Sequence, residues 1–290
     1  MKESVQVPYS TGRNVPKIDI PELTCDTHCH IFDPVRFPYK PTDTRNQPPA
    51  TVDVYRLLQR RLGMSRCVVV TPSAYGYDNS CTMDAVNQMG DNARAVVVLK
   101  KSVTVDEIAT LHERGARGVR YNIVSGSQDA MSEIVEMADK VAGFGWHMVF
   151  WMSADLIAEY ESVLRELPCK LVFDHRGHLP ASQGINHKAF RIITSMMQEG
   201  KAYVKLSALY HDSAREDYSD TVAVGRAYVQ AAPDQVLWGS DWPHHSEFVA
   251  RKVMPDDAYM LDLLADEVPD ENMRYKILVD NPARLYGFDA

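Results

Sequence analysis

The stretch Thr24-Cys25-Asp26-Thr27-His28-Cys29-His30-Ile31-Phe32 reads as a short buried strand that ends in a polar pair. Side chains two apart on a strand share a face, so His28 and His30 point the same way. Two imidazoles on one face can hold a divalent metal, or donate two hydrogen bonds to one substrate oxygen. The plainer alternative is two histidines bonded to neighbouring backbone. Cys29 lies between them and is expected to face away as a small buried hydrophobe, with Cys25 on the same opposite face.

Seven more strands follow. Arg66–Pro72, Arg94–Leu99, Arg117–Asn122, His147–Ser153, Lys170–His175, Ala202–Ser207 and Val236–Trp242 are short and mostly apolar. Such runs mark strands buried on both faces. Segments with helical periodicity separate them: Thr51–Leu62, Cys81–Met89, Val105–Arg114, Ala130–Gly143, Ala154–Leu167, Lys188–Gly200 and Tyr218–Ala231. Asp257–Leu264 and Glu271–Phe288 close the chain as helices, interrupted at Pro282. Eight strand–helix units call for parallel strands with helices outside, an α/β fold of the (β/α)₈ TIM-barrel type, distorted and in a single domain. No glycine-rich phosphate loop follows the first strand, which argues against an open dinucleotide-binding sheet. Residues 1–22, with Pro8, Pro16 and Pro21, read as an extended, partly mobile arm, and 23–290 as the barrel. Asp33–Ala50 holds five prolines and cannot be helix; so long a loop after the first strand is expected to be a lid or substrate wall.

The formal net charge of −8 argues against nucleic acid as a partner, since phosphate binding needs a basic stripe, but allows a local arginine cluster for a small anion. Five scattered cysteines with no CxxC pair argue against disulfides and a thiolate zinc site, and fit a cytoplasmic setting. No apolar run approaches the ~20 residues of a membrane span.

In such a barrel the reacting groups sit at the C-terminal ends of the strands. There the sequence places His28 and His30; Arg117 and Arg120; Asp174 and His175; Lys205, Ser207 and Tyr210; and Ser240, Asp241 and His244. Ionisable groups ending apolar strands are costly unless they serve one another, so their recurrence points to a shared site. Lys205 could equally be a paired barrel-layer residue, and the loop residues His178, His244 and His245 are expected to be solvent-exposed. His112 on a helix and His147 at the start of its strand are set aside.

His28-Cys29-His30, Asp174-His175, Gly239-Ser240-Asp241-Trp242-Pro243-His244 and Asn281-Pro282-Ala283-Arg284-Leu285-Tyr286 resemble the amidohydrolase superfamily. They are most similar to its branch of 2-pyrone-4,6-dicarboxylate lactonase, sulfomuconolactone hydrolase and galactarolactone isomerase. Binuclear members carry a lysine or glutamate ending strand four and a histidine ending strand five. Here those places hold Arg120 and Trp151-Met152-Ser153, which leaves one divalent metal (Zn or Mn), on His28, His30 and Asp241, or none. Trp151 stands for a tyrosine of the pyrone lactonases, and Tyr210 or His211 for an arginine.

The resemblance implies hydrolysis of a small anionic lactone. Asp241 would be general base, with His28, His30 and His175 polarising the carbonyl. Arg120 and Arg117 would clamp a substrate carboxylate, and Ser73, Tyr75, Asn79, Trp151, Tyr210 and His244 would supply further substrate contacts. Lactone isomerisation, metal-dependent decarboxylation and a non-catalytic carboxylate-binding barrel are the rivals.

Overall fold

The computed structural model describes residues 2–45, 47–123, 128–250 and 252–289, so Met1 and Ala290, the outer ends of the expected arm and barrel, lie outside it. Eight parallel strands pair in sequence order: β1 Cys25–Cys29, β2 Arg66–Val70, β3 Ala93–Val97, β4 Ala116–Ile123, β5 His147–Met152, β6 Leu171–Phe173, β7 Ala202–Leu206 and β8 Val236–Trp238. Between them run α1 Val52–Leu62, α2 Ser80–Met89, α3 Val105–Glu113, α4 Gln128–Ala142, α5 Ala154–Glu159, α6 Glu161–Glu166, α7 Lys188–Gln198 and α8 Val222–Ala231. After β8 come α9 His245–Val249, α10 Asp257–Glu267, α11 Glu271–Tyr275 and α12 Asn281–Tyr286. No helix among the described residues is long and apolar enough to cross a membrane.

Alternate strand residues form two cores. One set (Cys25, Val68, Val70, Val96, Val149, Val172, Tyr203 and Leu237) meets in the barrel interior, closed at its N-terminal end by Tyr286 and Phe288. The other set packs outward against the helices. β1 breaks strict alternation. β1 advances three positions, from Asp26 to Cys29, while β2 advances two, from Cys67 to Val69. This bulge turns both Cys25 and His28 inward, so Cys25 does not share the face of Cys29 as alternation predicts.

Three helical expectations also shift. The segment 154–167 is two helices, because Tyr160 leaves the helical region at φ −98° and ψ 18°. Residues 218–221 are not part of α8, since Tyr218 is left-handed at φ 52°. Pro282 does not interrupt the final helix; it sits in the first turn of α12, where a missing N–H costs nothing, and a π-helical turn at Lys276–Asp280 precedes it.

The barrel is nearly, not fully, closed. Between β8 and β1 the backbone ladder is replaced by two bonds at the end of β1 and just past β8, Asp241 N to His28 O (2.8 Å) and His30 N to Trp242 O (2.8 Å). Side chains stitch the rest of this seam. Asp26 accepts from the Ser240 backbone (2.9 Å), the Ser240 hydroxyl (2.6 Å), the His28 backbone (3.1 Å) and the Tyr55 phenol (2.8 Å). Burial lifts Asp26 to about 6 against these four donors.

The N-terminal arm is extended and tied down. Pro8 O accepts from the Trp242 indole (2.9 Å), the Ser10 hydroxyl accepts from Asp257 N (3.3 Å), and Thr11 N donates to Pro255 O (2.9 Å).

Candidate active site

The seam puts the ends of β1 and β8 side by side. Asp241 Oδ1 lies 3.3 Å from His28 Nε2, 3.6 Å from His30 Nε2 and 4.0 Å from His175 Nε2. Gly239 permits this approach: a Cβ there would sit 2.7 Å from His28 Cβ and 2.9 Å from His28 N. Gly239→Ala is therefore expected to force β8 off β1, costing about 1–3 kcal/mol as overpacking does and opening the Asp241–His28 contact. Urea unfolding checks the first effect and turnover the second.

Local backbone strain places the other groups. Asp241 has φ 62°, and His175, Arg176, Gly177 and His178 form a left-handed run at 47°, 58°, 71° and 48°. Such angles are unfavourable for residues with a Cβ and persist only where the surroundings hold them. A buried pair, Arg176 Nη2 to Glu267 Oε1 at 2.7 Å, and the Tyr228 phenol on Arg176 O (3.0 Å) supply that hold.

Beneath the histidines lies a buried ionic layer. Asp174 Oδ1 is 3.1 Å from Lys205 Nζ and 3.2 Å from His28 Nδ1, and Asp174 Oδ2 accepts from Arg120 Nε (3.2 Å). Burial would raise Asp174, but Lys205, His28 and Arg120 together keep it well below the ordinary carboxylate range. Lys205, ambiguous from its mid-strand place, is thus an ion-pair member at the barrel axis. Asp241 behaves similarly: burial pushes it up, and His175, His30 and His28 outweigh that and hold it ionised. Burial pulls His28 down to about 4 and His175 well below its usual value, so both are neutral at pH 7.

A neutral ring has one lone pair. His30 Nδ1 donates to Val70 O (2.7 Å), so the nitrogen of His30 able to act as a ligand is Nε2, which faces the site. With His28 Nδ1 donating to Asp174, His28 Nε2 also presents a lone pair, only 3.3 Å from His30 Nε2 and close to a carboxylate oxygen. A carboxylate behind a histidine is the usual arrangement that prepares a metal ligand. His28, His30 and Asp241 make a triangle of 3.3, 3.3 and 3.6 Å, near the about 3.4 Å spacing of tetrahedral zinc ligands. His175 offers a fourth donor; His28, His175 and Asp241 have ligand atoms all within 4.8 Å of one another. The residues fit one divalent ion.

A cavity of about 490 Å³ opens beside this cluster, lined by Arg120 and Asn122 of β4, Ser73 and Tyr77 after β2, and Lys40 of the proline-rich loop. It lies to the β2–β4 side, not over the histidines, and Arg120 belongs to both. On the β5–β7 side, Trp151 packs edge-on to His178 (4.9 Å), and His178 and His211 flank His175.

Several expected contacts lie elsewhere. Arg117 starts β4 and so lies at the opposite barrel end, where it donates to His112 O (2.8 Å) and Ala116 O (2.8 Å). Asn79 braces β2 against β3, accepting from Thr71 Oγ1 (2.8 Å) and Val98 N (2.9 Å), so its amide is spent. The Tyr75 phenol is likewise structural: it is buried, and its oxygen accepts from Asp33 N (2.8 Å). His244 is wholly buried, not solvent-exposed or substrate-facing, and contacts Tyr210 and Asp257; His178 and His245 are half-buried. Asp26, Lys40 and Asp257 escaped sequence reasoning because each acts across elements far apart in the chain.

An amidohydrolase family model matches residues 25–288. The chain is 33% identical over 284 residues to 2-pyrone-4,6-dicarboxylate hydrolase of Comamonas testosteroni, covering 93% of this chain and 92% of that protein. It is 34% identical over 273 residues to 4-sulfomuconolactone hydrolase of Rhizobium radiobacter, covering 92% and 91%. A solved structure from Agrobacterium tumefaciens superposes with a TM-score of 0.84 at 26% identity, covering 95% of this chain and 99% of that one. From its first strand to the helix that closes the barrel floor, the chain belongs to the amidohydrolase family.

Proposed function

We propose that this protein hydrolyses the ring ester of a small carboxylated lactone. The observation that carries this is the convergence of Asp241 Oδ1 with three histidine Nε2 atoms beside a cavity holding two cations, Arg120 and Lys40. The ionised Asp241 takes a proton from water as the water attacks the carbonyl carbon. His175, with Nδ1 accepting from the Ser207 hydroxyl (2.9 Å), turns an Nε2–H toward the carbonyl oxygen where negative charge develops, and His28 and His30 would act on that oxygen through a bound divalent ion. Asp241 then returns the proton to the ring oxygen as the C–O bond breaks. Arg120 and Lys40 hold the substrate carboxylate, with Ser73 and Asn122 alongside. His28, His30 and Asp241 would hold that ion, which when bound supplies Lewis acidity toward the carbonyl. The named activities of the relatives from Comamonas and Rhizobium support this class of reaction.

A related protein of Agrobacterium fabrum, 26% identical, is named D-galactarolactone isomerase, which favours one second reading: attack by a substrate hydroxyl in place of water. A panel of γ- and δ-lactones in ¹⁸O water, with metal analysis of the purified protein, tests both. Hydrolysis places label in the product; isomerisation places none. A carboxylated lactone is expected to exceed its neutral parent in kcat/KM by about 10- to 100-fold, the worth of one charge-assisted hydrogen-bond set. Equal rates would remove the cation-lined cavity from the site.

A further inference from the structure

Behind Asp241 runs a chain of side chains with no role in the scheme above. The Tyr210 phenol donates to Asp241 Oδ2 at 2.5 Å, the oxygen turned away from the histidines. The same phenol oxygen lies 3.2 Å from His244 Nδ1, and His244 Nε2 lies 3.2 Å from Asp257 Oδ2. Asp257 and His244 are fully buried, and Tyr210 and Asp241 nearly so. The residues come from the loop after β7, the turn after β8 and the start of α10.

The hydrogens can be assigned from the partners. A phenol bonded to a carboxylate gives up its hydrogen there, so its oxygen can only accept from His244 Nδ1. Nε2 meets Asp257 Oδ2, and the other oxygen of Asp257 has no hydrogen-bond partner among the described residues, so His244 is the side chain that ties Asp257 to the phenol.

We infer that Tyr210, His244 and Asp257 are positioning residues that clamp Oδ2 of Asp241, leaving Oδ1 as the one oxygen free to take the proton. This rests on the reading of Asp241 as general base. The clamp has a geometric purpose, because the terminal torsion of an aspartate is broad and roughly two-fold, and a partner on Oδ2 stops its two oxygens from exchanging places. The direction of dependence runs outward: Asp257 holds His244, His244 orients the phenol, and the phenol fixes the carboxylate.

The test combines kinetics with crystallography on the full chain. Tyr210→Phe is expected to lower kcat about 10- to 100-fold with KM within about twofold, as misplacement of a reacting group does. Asp257→Asn is expected to lower kcat about 10-fold, and the double variant to be no slower than Tyr210→Phe alone, since both act through one phenol. Unchanged kcat in Tyr210→Phe, or losses that multiply, overturns the inference. A crystal structure of the wild-type protein is expected to hold the Tyr210 phenol within hydrogen-bond distance of both Asp241 Oδ2 and His244 Nδ1. A phenol turned away from Oδ2 overturns the clamp, whether or not either kinetic variant folds. A wild-type protein that opens no lactone sinks the hydrolase reading, and the crystal structure still decides the clamp.

Discussion

Replacing Asp241 with asparagine is expected to lower turnover by about 10²–10⁴-fold, the range attributed to a positioned general base. The substitution isolates the chemistry well. Asparagine tolerates the left-handed backbone that position 241 adopts, φ 62°, where alanine would add strain. Its amide oxygen can still accept from the Tyr210 phenol, so the clamp survives while basicity is lost. Substrate affinity should hold, because the cavity cations lie on the β2–β4 side. The measurement is kcat and KM on the best lactone, with a thermal melt to show an intact fold. A variant retaining more than about a tenth of wild-type kcat would take Asp241 out of the proton-transfer role.

The largest effect on stability is expected from Asp174→Ala. Asp174 is wholly buried and answers Lys205, Arg120 and His28 at 3.1–3.2 Å. Its loss leaves a lysine and an arginine in the barrel without their counter-ion. Breaking a buried ion pair on one side costs about 3–5 kcal/mol, a large share of the ~5–15 kcal/mol that holds most domains together. The urea midpoint should fall accordingly. Adding Lys205→Met to the same chain should recover part of the loss, because it removes one of the stranded charges. A change below about 1 kcal/mol in Asp174→Ala would mean that water reaches the layer and screens it.

The order of strands and helices was readable because a barrel strand buried on both faces must be apolar along its length, as Cys67–Val70 and Ala95–Val97 are. The polar ends of β1, β6 and β8 were readable for the converse reason: a histidine or aspartate closing such a run needs a partner. What stayed hidden depends on three-dimensional offsets. A bulge moves Cys25 to the interior, and no local composition announces it. Arg117 and Arg120 look equivalent on paper, yet three residues of strand separate the barrel floor from its mouth. Asn79 and Tyr75 have polar heads that loop backbone uses up before any ligand could. His244 resembles a loop histidine in sequence, but the turn after β8 folds it under Asp241 against α10.

The anchoring of the arm ties the protein's earliest residues to some of its latest. Ser10 meets Asp257 across 247 positions, roughly 12–50 s of translation at ~5–20 residues per second. Pro8 waits almost as long for the Trp242 indole. A ribosome-bound fragment therefore lacks the partners of its first ten residues, and the side chains stacked behind Asp241, until the polypeptide is nearly all made.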